Sequence, residues 1–218
     1  MSVTAAVLDY DAGNLRSAEK ALDRAGFDAQ VTADARAAAN ADLVVVPGVG
    51  HFGQCVRQFD QAGFTPLIRD RVANGRPVLG ICVGLQIMYE GSDEDADVRG
   101  LGILPGWVHR FPAVAADGQP LTVPHMGWNA LGVPGGDEPD PLVRPVVGER
   151  VYFVHSFYAA PSDPDHVIAQ TTYGGRHVPA IAREGSVIGT QFHPEKSADV
   201  GRRLLEAIRA EVAAVAQS

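Results

Sequence analysis

An α/β fold is what this sequence predicts: a mostly parallel central sheet flanked by helices, with an antiparallel strand region in the C-terminal half. Three observations predict it. Short apolar runs alternate with helical patterns over roughly the first ninety residues. After about residue 100 the pattern changes to strands separated by Gly and Pro turns. An amphipathic helix closes the chain. Strands alternating with helices imply a doubly wound parallel sheet with right-handed crossovers.

Taken in order, Val3 to Leu8 reads as a buried strand. Asn14 is a suitable N-cap for a helix running to about Ala25, and Gly26 supplies its stop. Leu43 to Val46 is a second apolar run ending in Pro47-Gly48; a helical stretch around Thr65 to Asn74 ends at Gly75; Pro77 to Ile81 is a third run. Residues 91 to 100 read as a loop inside one domain spanning 1–218. Beyond it, strands are expected over Arg150 to Tyr158, Val167 to Thr172 and Val187 to Phe192. The last helix, Ser197 to about Ala214, carries Val200, Leu204, Ile208 and Val212 on one face, which should pack on the sheet.

Composition excludes several function classes. A net charge of −8, with 18 scattered Lys and Arg residues, leaves no stripe for a nucleic-acid backbone. No run of about eighteen apolar residues is present to span a bilayer, and no basic-then-apolar export segment opens the chain, so a cytoplasmic protein is expected. The two cysteines, Cys55 and Cys82, make no disulfide framework and have no metal-ligand spacing around them. No metal or cofactor is expected, and a reactive thiol is possible on these terms.

The most informative segment is Val78-Leu79-Gly80-Ile81-Cys82-Val83-Gly84-Leu85-Gln86, an apolar strand running through Gly-x-Cys-x-Gly into a helical pattern. That is a nucleophile elbow with cysteine as nucleophile: the flanking glycines let strand and helix approach without Cβ clashes, and the sulfur is presented at the carboxyl end of a strand. The helix N-terminus there favours thiolate, the attacking species. Cys55 has no such framing and reads as structural.

A cysteine nucleophile needs a base, and the base needs a third group to orient it. Phe192-His193-Pro194-Glu195 offers both, since Pro194 biases His193 toward extended backbone, where Glu195 two residues on points to the same side. Pro47-Gly48-Val49-Gly50 follows an apolar strand and should share an edge with Cys82. Its glycines let a backbone N–H of Val49 or Gly50 turn toward a developing oxyanion, with the Val83 N–H as second donor.

These residues resemble the class I glutamine amidotransferases and, within them, the glutaminase subunits of imidazole glycerol phosphate synthase. The resemblance runs nearly end to end. It is carried by Asp9 to Asn14, Pro47 to Gly50 followed by His51-Phe52-Gly53, the elbow, Pro124-His125-Met126-Gly127-Trp128-Asn129, Tyr152 to Ser156 and Phe192 to Ser197. The elbow and the His-Pro-Glu segment point to the class; His-Met-Gly-Trp-Asn and the Asn14 segment point to the subunit. Asp11 and Phe157 stand where Gly and Tyr are more usual.

The resemblance implies hydrolysis of L-glutamine by a Cys82–His193–Glu195 triad. It implies binding of the amino-acid end of glutamine by Gly48, Gln86, Glu94 and the main chain of Ser156 and Phe157. It also implies a heterodimer with a (β/α)8-barrel cyclase subunit that receives the ammonia, with Asn14, Tyr152 and Lys196 around the passage and Trp128 as an interface anchor. Two other readings share these residues: a stand-alone cysteine hydrolase of γ-glutamyl substrates, and a non-catalytic regulatory subunit that has kept the fold.

Overall fold

The computed structural model describes residues 2–136 and 138–216. Its strands are β1 Val3–Leu8, β2 Phe27–Thr32, β3 Leu43–Gly48, β4 Val78–Cys82, β5 Gly106–Arg110, β6 His125–Ala130, β7 Arg150–His155, β8 Phe157–Pro161, β9 Val167–Tyr173, β10 Arg176–Glu184 and β11 Val187–Thr190. Its α-helices are α1 Leu15–Arg24, α2 Ala35–Ala39, α3 Phe52–Gln61, α4 Phe64–Ala73, α5 Val83–Gln86 and α6 Ala198–Val215. Among the described residues the main sheet runs β2-β1-β3-β4-β11-β10-β9. Its β2 to β11 part is parallel, whereas β10 and β9 are antiparallel additions.

The central strands are apolar at every position because both faces are covered: β3 and β4 are buried throughout. Register then sets the site. Gly48 at the end of β3 lies opposite Cys82 at the end of β4, and β11 runs beside β4 with Thr190 opposite Ile81. The segments leaving these three neighbouring strands therefore start from one edge, where open α/β sheets carry their ligands. As expected, α6 buries Leu204, Ile208 and Val212, with Gly201 and Leu205 beside them.

Several local expectations are corrected. Asn14 does occupy the N-cap of α1, but its side chain makes no capping bond. The run Arg150 to Tyr158 is two strands broken at Ser156, because β7 pairs with β6 while β8 pairs with β5. The strand expected to reach Phe192 ends at Thr190. Elements β2, α2 and β10 were absent from the sequence reading, β2 because its burial alternates as an edge strand's does.

Candidate active site

The elbow has the geometry its glycines imply. Cys82 sits at φ 55°, ψ −112°, a left-handed conformation that a non-glycine residue adopts only under constraint. The constraint is packing. A Cβ on Gly84 would run into the Val46 carbonyl, and one on Gly48 into the Gly84 backbone, so β3 and the start of α5 touch main chain to main chain. Gly48 is thus a spacer under the elbow and is not part of the pocket wall. Because α5 has only four residues, its dipole is a small influence on the thiol.

His193 follows β11 with extended backbone, φ −97° and ψ 99°, and its Nδ1 lies 2.8 Å from Glu195 Oε1. Glu195 reaches it from a 3-10 turn over Pro194–Lys196 and not from the extended segment expected. Both side chains are almost wholly buried. Burial works against a charge on His193, but hydrogen bonds to Cys82 and Glu195, with the charges of both, outweigh it and raise its pKa to about 9. At neutral pH the imidazole is therefore held as imidazolium, with Nδ1 toward Glu195. Ser197 secures the turn: its Oγ donates to the His193 carbonyl at 2.7 Å and accepts the Tyr152 N–H at 3.0 Å.

A cavity of about 410 Å³ opens over these groups. Its wall brings together Cys82, His193, Val49, Gly50, Val83, Gln86, Glu94, Ser156, Phe157 and Lys196 from the sequence reading, and adds Pro124, Val154 and His155. Three side chains hold the loop after β3: the Tyr10 hydroxyl donates to the Pro47 carbonyl, Cys55 Sγ to the Val49 carbonyl, and Glu94 Oε2 accepts the Phe52 N–H at 2.7 Å. Glu94 is consequently fixed at the N-terminus of α3, whose free N–H groups favour a carboxylate. The acidic run around it is partly built in as well, Asp93 accepting from Trp107 and the Arg110 N–H.

Gln191 is the site residue the sequence reading missed. It is fully buried, accepts from Gln86 Nε2 at 3.1 Å and directs its own Nε2 at Cys82 Sγ, 3.8 Å away. A polar side chain directly after an apolar strand was its only signal. Asn14, Trp128 and Tyr152 lie outside the cavity. Asn14 is exposed at the start of α1, which packs against the Pro194–Lys196 turn. Trp128 is 46% exposed and meets the Tyr152 ring edge-on, centroids 5.9 Å apart, so it is no core residue. Among the described residues no group of three His, Cys, Asp or Glu side chains is arranged to hold a metal, and no helix is long and apolar enough to cross a membrane.

The family model for class-I glutamine amidotransferases matches residues 6–208. The chain belongs to that family. The amidotransferase is 44% identical over 199 residues to the imidazole glycerol phosphate synthase subunit HisH of Geobacillus kaustophilus, covering 91% of this chain and 92% of the relative. It is 44% identical over 209 residues to the HisH subunit of Thermus thermophilus, covering 96% and 97% of the two chains. In fold it is similar to a crystal structure of a glutamine amidotransferase, with TM-score 0.71, 21% identity and coverage of 98% of this chain and 100% of the other. A similar likeness holds to the PurLQS structure from Thermotoga maritima, with TM-score 0.69, 21% identity and coverage of 97% and 99%.

Proposed function

We propose that this amidotransferase hydrolyses L-glutamine to glutamate and ammonia and delivers the ammonia to the cyclase subunit of an imidazole glycerol phosphate synthase, as one catalytic domain acting in the cytoplasm. The observation that carries the chemistry is the buried line from Cys82 through His193 to Glu195 at the floor of the cavity.

Cys82 Sγ attacks the side-chain amide carbon, forming a C–S bond and moving the carbonyl electron pair onto oxygen. The Val83 N–H, with that of Val49 or Gly50, stabilises this oxyanion. The His193 imidazolium then gives its proton to the leaving nitrogen, the C–N bond breaks, and ammonia departs from a thioester. Water, losing a proton to His193, attacks the thioester and releases glutamate, restoring thiolate and imidazolium. Glutamine's ammonium would pair with Glu94 and Gln86 Oε1, and its carboxylate with the Ser156 and Phe157 main chain, since both Gln86 Nε2 hydrogens are taken by Phe157 and Gln191. Gly48 would contribute by letting the loop approach Cys82, with no contact to substrate.

The outer face of the β6–β7 ribbon supports a partner. It pairs Met126 with Val154 and Trp128 with Tyr152, and both Met126 and Trp128 are exposed. Val154, on this face, also lines the cavity, so a partner seated there would lie beside the pocket and could receive ammonia before water protonates it. That its relatives are named subunits of imidazole glycerol phosphate synthase supports a partner from the same synthase.

The test is glutamate formation by the chain alone and with a cyclase subunit bound to its ribonucleotide substrate, with Cys82→Ala as control. Stimulation lost in Cys82→Ala is expected. Full activity without partner would favour a stand-alone γ-glutamyl hydrolase, and silence in every mixture a regulatory subunit.

A further inference from the structure

Behind the cavity wall a line of polar groups runs from β9, where it is exposed, through the buried His125 and His155 to the pocket. Asn129 Nδ2 donates to the Thr172 carbonyl at 3.2 Å, and Asn129 Oδ1 lies 2.9 Å from His125 Nε2. His125 Nδ1 lies 3.0 Å from His155 Nε2, and His155 Nδ1 lies 2.8 Å from the Phe157 carbonyl oxygen. That same oxygen accepts from Gln86 Nε2 at 3.0 Å. His125 is wholly buried, and its ring is clamped between Phe153 and Tyr173, stacked at 4.8 Å and 3.9 Å.

The protons along this line are determined by its end. The Phe157 carbonyl can only accept, so His155 carries its proton on Nδ1. Burial is the main force pushing the His155 pKa down, to about 3, with His125 and His193 adding to it against the favourable Phe157 contact. The ring is neutral, and its Nε2 is an acceptor. His125 Nδ1 is therefore the donor. Asn129 Oδ1, held toward the ring by the Nδ2 bond to Thr172, also calls for a proton on His125 Nε2, so both contacts are made at once only by the imidazolium, which burial disfavours. Without that donor only the Phe157 carbonyl would hold the His155 proton on Nδ1, and in the other tautomer the Nδ1 lone pair would face that oxygen.

We infer that His125 is a positioning residue for catalysis: it fixes the tautomer of His155, and through it the Phe157 carbonyl, the Gln86 amide and the Ser156–Phe157 corner of the cavity. The Ser156 carbonyl is held from the other side by the Phe111 N–H at 3.1 Å, so the corner between β7 and β8 is pinned at both peptides. This inference rests on the glutaminase reading, in which that corner receives the substrate carboxylate and Gln86 faces the amino-acid end of glutamine. The relay occupies the inner face of β6, and Met126 and Trp128 alternate with His125 and Asn129 onto the outer one. The ribbon proposed to meet the partner is therefore the same one that sets the pocket corner.

The experiment uses the full chain with 15N-labelled histidine for NMR, and glutamine kinetics with the cyclase subunit present. Wild type is expected to give the Nδ1–H tautomer of His155 and an N–N coupling across the bond from His125 Nδ1. His125→Phe fits the slot between Phe153 and Tyr173 but has no ring nitrogen. It is expected to raise KM for glutamine about 10-fold or more while kcat changes less than about 3-fold, the pattern of lost substrate binding. His125→Gln, whose amide can donate to His155 Nε2, should recover most of the KM.

An Nε2–H tautomer of His155, or no coupling, in wild type overturns the inference without any variant having to fold. So does an unchanged KM in folded His125→Phe, or a fall in kcat alone that the glutamine variant does not rescue. A wild type that forms no glutamate even with the partner removes the glutaminase reading, and the inference with it, even where the coupling is found.

Discussion

The Cys55 thiol lies 3.3 Å from the carbonyl oxygen of Val49, so the second cysteine of this chain holds the loop that faces the first. Burial, and after it the neighbouring Cys82 and Glu94 charges, push the Cys55 pKa up to about 11. At neutral pH only about one Cys55 in ten thousand is thiolate. Exposure to an electrophilic glutamine analogue should therefore modify Cys82 alone. Intact-mass measurement is expected to find a single adduct in wild type and Cys55→Ala, and none in Cys82→Ala; an adduct on Cys55 would contradict the assignment of the nucleophile.

The His193 charge predicts a pH limit. Its folded pKa, about 9, lies above the ordinary imidazole value of 6.5, so the imidazolium and the stability it contributes are fully present below about pH 6.5 and lost as pH rises through 9. Glutamine turnover should fall on the alkaline side near pH 9, because the departing nitrogen then lacks its proton donor. Alkylation of Cys82, which needs only thiolate, should not fall with it.

Glu195→Gln separates the orienting carboxylate from the base. Glu195 Oε2 has no hydrogen-bond partner among the described residues, so the amide breaks nothing on that side. Losing the negative charge should lower the alkaline limit by about 1–3 pH units and kcat by about 100-fold or more. A pH–rate profile with the limit still near 9 would show that Glu195 does not hold the His193 charge.

These expectations began from residues legible in the sequence for a physical reason. Gly80 and Gly84 announce a strained turn around Cys82 because no side chain fits where the two glycines sit, and His193 with Glu195 announces a base because two residues carry the whole motif. What stayed hidden was made by register. Gln191 meets Cys82 only because β11 lies beside β4, and His125 meets His155 only because those two residues are cross-strand partners in β6 and β7. Ser156 could not be read as a strand break, since its own residue type carries no such signal and the break comes from β7 and β8 pairing with different strands.

Two glycines should respond differently to alanine. In Gly84→Ala the new methyl meets the Val46 carbonyl, backbone that cannot give way, and a loss of about 1–3 kcal/mol is expected together with loss of turnover. In Gly50→Ala nothing lies within 4 Å, but φ is +92°, and the strain costs about 1–2 kcal/mol. Urea unfolding should rank them, and Gly84→Ala with normal turnover would remove the packing account of the elbow.

Arg71 tests the opposite end of the sheet. It is fully buried, and its guanidinium donates to the carbonyls of Ala41, Asp42 and Pro77, each at 2.9 Å. Burial and then the nearby Arg76 lower its pKa to about 10, which still leaves it charged at neutrality. Arg71→Met would strand those carbonyls away from water, at a cost of about 3 kcal/mol or more. Thermal unfolding is expected to move down by several degrees at least, with Cys82 labelling rate below the transition unchanged.

Trp128 carries the sharpest test of the partner surface, because its exposure separates folding from binding. In the free chain Trp128 is already 46% exposed and its ring meets Tyr152 edge-on, so Trp128→Ala should cost no more than about 1–2 kcal/mol of stability. On the complex the same change removes a large aromatic from the middle of the proposed contact, and hot-spot aromatics contribute about 2 kcal/mol or more, roughly a 30-fold loss in affinity. Titrating the cyclase subunit against glutamate formation should show the stimulation curve shifted to higher partner concentration with its plateau retained. A lowered plateau at unchanged midpoint would mean that Trp128 acts on the catalytic step, and an unmoved curve that the partner sits elsewhere. The relation of Met126 to Val154 gives an internal control: Met126 is more exposed than Trp128, yet as a flexible side chain at the ribbon's edge its removal should shift the curve less.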